Sequence, residues 1–317
     1  MAKMLIDGEL REKPKQTDGQ FKRIPSGIRN RIEADPNARF PAAIGRYHLY
    51  LSRACPWCHG VELVIALKGI SEALSVTWMD PISSENGWVI QQGGEDASSD
   101  MPNHEYLYQA YQHAEPKYTG AISVPLLVDK VTRQIVSTDS ADMMRMLNSA
   151  FDNLGAADID LYPDPLSGEI DRITSLIQEP IRNGVYRAGF ATTQEAYCQA
   201  VVELFEGLDM IETILANRQY LAGSDLTEVD LKLFPTLVRF DAVYVTHFKT
   251  DHKRIADYPN LSRYMCALAQ LPDVVTTIDM QHIREHYFRS HRHINPSGIT
   301  SIGPISQFRE AKIAIGA

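Results

Sequence analysis

Four residues, Cys55-Pro56-Trp57-Cys58, carry the plainest chemistry in the sequence. They follow an apolar run, Tyr47-His48-Leu49-Tyr50-Leu51, and precede Val61, Val64, Ile65 and Leu67 at helical spacing. The stretch is expected as strand, turn and first helical turn, with Cys55 at the junction. A thiol there lies beside the unbonded first-turn amides and the positive end of the helix dipole, and both favour the thiolate. Pro56 suits the first helical position, where its missing N–H costs nothing. Cys55 is therefore the candidate nucleophile of a thiol–disulfide reaction. Cys58, one turn later, has two readings. It is either a resolving thiol or a buried helix residue, and in the second case another thiol completes the cycle.

Two further motifs would complement such a thiol. Val124-Pro125 opens a strand and is expected as a cis peptide facing the reactive cysteine, with the Val124 backbone offered to a peptide-like ligand. Asp139-Ser140 stands where a helix should begin. Both residues cap helices well, and together they can also hold a ligand: Ser140 and nearby amides a carboxylate, Asp139 an ammonium. The γ-glutamyl end of glutathione offers both charges on one carbon.

The elements that must position these residues follow in order. Strands are expected at 46–52 and 75–79, a helix at 56–69 closed by Gly69, and a long polar stretch at about 81–103 that includes Gly93-Gly94 and Ser98-Ser99. A short helix at 104–114, a hairpin of 123–129 with 133–137, and a helix from 139 to about 148 complete the set. This is the order of a thioredoxin-like α/β domain, spanning 45–149. Residues 1–44 read as an extended arm over the surface or a partner subunit. Residues 150–165 read as a linker. Helices are expected at 166–183, 194–217, 227–245, 260–271 and 273–286, so 166–293 should form an all-α domain, with an extended tail over 294–317. Thr227-Glu228-Val229-Asp230 matches a capping box.

Composition narrows the function. The net charge of −9 argues against a nucleic-acid binder. The N-terminus lacks a signal-peptide core and no apolar segment is long enough for a membrane span, so a cytoplasmic protein is expected. Four cysteines in 317 residues are no disulfide framework, and Cys198 and Cys266 read as small buried side chains. His282-Ile283-Arg284-Glu285-His286 matches a zinc-hydrolase pattern. A third ligand cannot be located beside a thioredoxin-like domain, and no metal is expected.

The second domain also carries aromatic and basic blocks: Asn183-Gly184-Val185-Tyr186-Arg187, Arg239-Phe240-Asp241 through Phe248-Lys249, and His286-Tyr287-Phe288-Arg289-Ser290-His291. With Ala54-Cys55-Pro56-Trp57, Glu85-Asn86-Gly87-Trp88 and Asn295-Pro296-Ser297-Gly298, they give nearly the whole chain a resemblance to the glutathionyl-hydroquinone reductases, the xi class of the glutathione transferase superfamily. The resemblance implies the glutathione transferase fold, a homodimer, and glutathione as cosubstrate without a metal. It makes Cys55 the nucleophile. Trp88, Ile122, Ser123, Val124, Pro125, Asp139 and Ser140 become glutathione contacts, and Tyr186 an acid–base residue near the quinol. Tyr244 and Tyr287 become tyrosines that lower the cysteine pKa.

The implied activity is reduction of glutathionyl-hydroquinones through a Cys55–glutathione mixed disulfide, with release of oxidised glutathione. Three positions depart from the family pattern. Asp139 stands where Glu is common, Ala121 where Arg is common, and Cys58 where other small residues occur. Alternatives on the same scaffold are a thioltransferase, a dehydroascorbate reductase or an aryl-ether thiolyase. A non-catalytic glutathione-binding regulator is the alternative of another class.

Overall fold

The computed structural model describes residues 3–14, 18–92 and 101–304. Gly93-Gly94, Ser98-Ser99 and the tail beyond 304 lie outside the described residues. The chain divides into two compact units. Of the described residues, 3–14 and those between 24 and 160 make the first, and 18–23 and 161–304 the second.

In the first unit, β1 (Lys3–Ile6) and β2 (Glu9–Glu12) form an antiparallel hairpin. The α/β body follows as β3 (Tyr47–Leu51), α1 (Pro56–Lys68), β4 (Leu74–Trp78), α2 (Leu107–Ala114), β5 (Gly120–Ala121), β6 (Leu126–Asp129), β7 (Gln134–Ser137) and α3 (Ser140–Ser149). The main sheet has the order β4-β3-β6-β7, with β3 parallel to β4 and antiparallel to β6. Every residue of β3 is buried, as a strand between two neighbours should be when both its faces are covered. Its polar member, His48, lies between Ser75 Oγ (2.8 Å) and Thr77 Oγ1 (3.0 Å). Burial pushes its pKa down to about 4, so it stays neutral in the sheet. Gly69, at φ 63°, ends α1 by donating its N–H to Ala66 (3.1 Å).

The segment read as an extended arm is more ordered than expected. Asp7 and Gly8 take φ 49° and 78°, which makes the tight turn between β1 and β2. Strand β1 also pairs with β5, Met4 opposite Ala121. Further on, Asn30 N donates to Val136 O (2.9 Å) and Thr138 N to Ile28 O (3.0 Å), so residues 28–30 run beside β7. Residues 18–23 of the same segment pack in the second unit.

The second unit is helical and has no β-strand among its described residues. It comprises α4 (Ser167–Ile177), a π-helical turn (Gln178–Arg182), α5 (Gly184–Gly189), α6 (Gln194–Leu215) and α7 (Glu228–Arg239). A second π-helical turn (Phe240–Tyr244), α8 (Val245–His247), α9 (Pro259–Ala269), α10 (Pro272–Val275) and α11 (Met280–Ser290) complete it. The expected single helices 166–183 and 227–245 thus each pass into a π turn, and the expected helix 273–286 is broken in two. The expected linker holds short 3₁₀ turns at Asp152–Leu154 and Asp164–Leu166, and buries Phe151 and Leu161 completely. From 294 to 304 the chain is without helix or strand, and Arg284 holds it by donating to Ser301 O (3.2 Å) and Pro304 O (2.8 Å).

The capping box forms as expected, and Asp230 does more than cap. Fully buried, it accepts from Thr227 N (2.9 Å), Thr227 Oγ1 (3.0 Å), Leu221 N (2.9 Å) and the Tyr264 hydroxyl (2.8 Å). Asp230→Ala strands these buried donors, and we expect a loss of about 3 kcal/mol or more in urea unfolding. A change below about 1 kcal/mol would show that water replaces the carboxylate.

Candidate active site

Strand β3 delivers the chain into Ser52-Arg53-Ala54, and Cys55 takes the N-cap position of α1 at φ −80°, ψ 121°. Its carbonyl already accepts from His59 N (3.0 Å), yet no side chain caps this helix. The residue that carries the sulfur therefore stands at the positive end of the helix dipole. Pro56 sits at N1, as expected. Cys55 is partly exposed, and its Sγ lies 3.7 Å from the Val124 carbonyl oxygen. The Val124–Pro125 peptide is cis, also as expected.

Cys58 is a different kind of thiol. It is completely buried, and burial pushes its pKa well above the ordinary range. A hydrogen bond to Cys55 and the charge there push it further up. Cys58 thus stays protonated while Cys55 is the accessible sulfur. None of the four cysteines is in a disulfide. The expectation for the other two needs correction: Cys198 is exposed on α6 and Cys266 is half-buried on α9. The expectation rested on the usual burial of unpaired cysteine, which says nothing of the helix face each one occupies.

Other members of the candidate glutathione set occupy the same unit. Ile122 and Ser123 are half-buried and Val124 and Pro125 buried, in the lead-in to β6. Tyr111 on α2 holds this lead-in: its hydroxyl donates to Ser123 O (2.7 Å) and accepts from Ser123 N (3.3 Å). In the sequence, Tyr111 carries no signal beyond its place on the apolar face of a short helix. Trp88 is half-buried after a tight turn at Gly87 (φ 93°), and its carbonyl accepts from Leu107 N (3.0 Å). Asp139 caps α3, Oδ1 accepting from Ala141 N and Asp142 N at 3.0 Å each. Its Oδ2 lies 3.8 Å from Arg29 Nε, whose guanidinium is bidentate on Asp142. Ser140 is buried at the first turn. The capping and ligand readings of Asp139 are compatible, because capping uses one oxygen only.

The second unit gathers three phenols. The hydroxyls of Tyr186 and Tyr287 are in direct hydrogen-bond contact, and Tyr244 Oη lies 3.1 Å from Tyr287 Oη. All three residues are buried. Burial pushes the Tyr287 phenol well above its ordinary value, and Tyr186 and Tyr244 add to this while Arg239 pulls it down. Aromatic rings surround the group: Phe248 stacks on Tyr244 at 5.4 Å and meets Tyr186 edge-on at 5.5 Å. Such a cluster can hold an aromatic ring and pass a proton to or from it.

Family models for the Glutathione S-transferase N-terminal and C-terminal domains match residues 54–150 and 186–265. Glutathionyl-hydroquinone reductase YqjG of Escherichia coli (strain K12) is 47% identical over 311 residues, 95% of this chain and 94% of its own. A xi-class glutathione transferase from Natrialba magadii superimposes with a TM-score of 0.90 at 40% identity, over 98% of this chain and 95% of that one. The chain belongs to the xi-class glutathione transferases. Glutathionyl-hydroquinone reductase PcpF of Sphingobium chlorophenolicum is 46% identical over 304 residues, 95% of this chain and 96% of its own. The glutathione-bound structure of YqjG matches with a TM-score of 0.83 at 47% identity, over 88% of this chain and 93% of that one.

In a glutathione transferase, the α/β unit and the helical unit are the two domains of the fold, as the element order had suggested. Among the described residues, no three His, Cys, Asp or Glu side chains converge as metal ligands. His282 and His286 lie one turn apart on α11. No described helix is long and apolar enough to cross a membrane.

The contrast between Cys55 and Cys58 can be read directly. After iodoacetamide treatment of the native xi-class protein at pH 7, mass spectrometry should find the label on Cys55 and exposed Cys198. Cys58 should stay unlabelled, because its raised pKa and burial keep it a thiol well past neutrality. Labelling of Cys58 at a rate near that of Cys55 would refute the assignment of one reactive sulfur.

Proposed function

We propose that this protein is a glutathionyl-hydroquinone reductase. The observation that carries the reading is a thiol, not a hydroxyl, at the uncapped start of α1, 3.7 Å from the Val124 carbonyl. Tyrosine or serine at such a position can activate glutathione, but cysteine can itself take part in the covalent exchange. The 47% identity with YqjG over 95% of the chain supports the substrate class.

In this reading the domain at 45–149 binds the peptide of the substrate through Trp88, Ile122, Ser123, Val124, Pro125, Asp139 and Ser140. The helical domain at 166–293 supplies Tyr186, Tyr244 and Tyr287 to its ring. The Cys55 thiolate attacks the glutathione sulfur. The sulfur–carbon bond breaks, its electron pair stays on the ring carbon, and Tyr186 protonates that carbon to give the hydroquinone. A second glutathione thiolate attacks the glutathione sulfur of the mixed disulfide, releasing Cys55 and oxidised glutathione. The two electrons come from the thiol pair, so no metal or other redox group is required. Buried Cys58 takes no part.

Cys55→Ala should abolish both the mixed disulfide seen by mass spectrometry and turnover of glutathionyl-menadiol, a loss of about 1,000-fold or more. Cys58→Ser should keep at least about a third of the activity. Equal loss in the two variants would replace the one-cysteine scheme with a dithiol one, and faster turnover of simple mixed disulfides would make the enzyme a general thioltransferase.

The same reading makes the enzyme a cytoplasmic homodimer. A reducing compartment supplies the glutathione that the cycle consumes, and the dimer follows from the family resemblance. Sedimentation equilibrium should return twice the chain mass of 35.6 kDa. The chain mass itself, at micromolar concentration, would remove the dimer from the proposal.

A further inference from the structure

The segment 18–23, far from the helices in sequence, packs within the second unit. Its anchor is Gly19, whose carbonyl accepts from Thr192 N at 3.0 Å. Gly19 has φ +72°, and a Cβ built on it would lie 2.6 Å from Thr193 Oγ1. Only glycine lets the backbone pass so close. Two residues on, the Phe21 ring lies 5.2 Å from Phe190 and 6.5 Å from Tyr186. The exposed Arg23 then sets its guanidinium 5.2 Å from the centre of the Tyr186 ring and 5.6 Å from that of Phe21. Tyr186 is the phenol bonded to Tyr287. One wall of the tyrosine cluster is therefore built from the arm, as an apolar ring followed by a cation. Burial disfavours the charged forms of His247, His291 and His293 nearby.

We propose that Phe21 and Arg23 are specificity-determining residues that favour hydroquinones bearing an anionic group on the ring. The inference rests on Tyr186 being a quinol-side residue, as the proposed function has it. Phe21 offers a face for the ring to pack on. Arg23 offers a positive charge that is held over an aromatic face and stays protonated at all working pH values. At an exposed site walled on one side by aromatic rings, a unit charge about 6 Å from a carboxylate favours it by roughly three- to tenfold.

The test compares kcat/KM on a neutral glutathionyl-hydroquinone and on its ring-carboxylated analogue. Arg23→Gln should lower the carboxylate-to-neutral ratio about fivefold, and Arg23→Lys should keep it within about twofold. The wild-type ratio should also fall as salt rises. Equal loss on both substrates in Arg23→Gln would make Arg23 merely structural and overturn the inference. So would an effect confined to glutathione's attack on the preformed Cys55 mixed disulfide, which would assign Arg23 to a glutathione carboxylate. Wild-type enzyme that turns over neither substrate and forms no mixed disulfide would refute the proposed function, and this inference with it.

Discussion

The residue at the start of α1 is a cysteine, and a cysteine does not cap a helix. Asp139, Thr193 and Asp279 each accept first-turn amides at the starts of α3, α6 and α11. At α1 no side chain does so, and the amide dipoles are left for a sulfur anion or a ligand. The rest of the first unit serves this junction. The fully buried β3 fixes where α1 begins, and Pro56 gives its first residue helical φ without needing an N–H partner. From the other side, Tyr111 holds Ser123 by both of its backbone polar groups, and the next residue brings its carbonyl to the sulfur.

The same junction separates two thiols that the sequence writes as equals. Residues 55 and 58 are one helical turn apart, yet one is partly exposed and the other has no exposure. Burial above all, and then the hydrogen bond and charge of Cys55, hold the proton on Cys58. This disfavours a pair of exchanging thiols. An enzyme built this way would draw its second sulfur from solution, as the proposed function has it. Buried Cys58 then contributes packing and a hydrogen bond, which a serine can approximate.

Much of the first unit was legible because its signals are local. The apolar run 47–51, Gly69, the Val124-Pro125 pair and the capping side of Asp139-Ser140 each carry a local structural reading, and the chain folds accordingly. The hairpin of β1 and β2 was missed although Asp7-Gly8 is a strong turn signal. Its strands bury only Leu5 and so show no alternation to point at. Cys198 was misjudged from the average behaviour of cysteine, when only its position on a helix face decides exposure. Phe21 and Arg23 had no signal at all, since nothing in a charged, aperiodic arm says which distant helix it will meet.

The phenol cluster shows a subtler limit. Hydrophobic spacing carried the expected helices straight through 166–183 and 227–245, and in each case the backbone widens into a π turn near the end. In the first, Pro180 lacks the N–H that an α-helix would use, so the regular ladder is already broken there. An α-helix turns about 100° per residue, so one extra residue in a wider turn rotates everything after it by about that angle. The first π turn lies just before α5, which carries Tyr186, and the second ends on Tyr244 itself. A straight continuation of either helix would therefore aim its tyrosine elsewhere. The two π turns instead bring both phenols onto Tyr287 of α11. Periodicity cannot reveal this, because the apolar residues on each side remain in phase with their own segment. The rotation between segments is visible only where three hydroxyls meet.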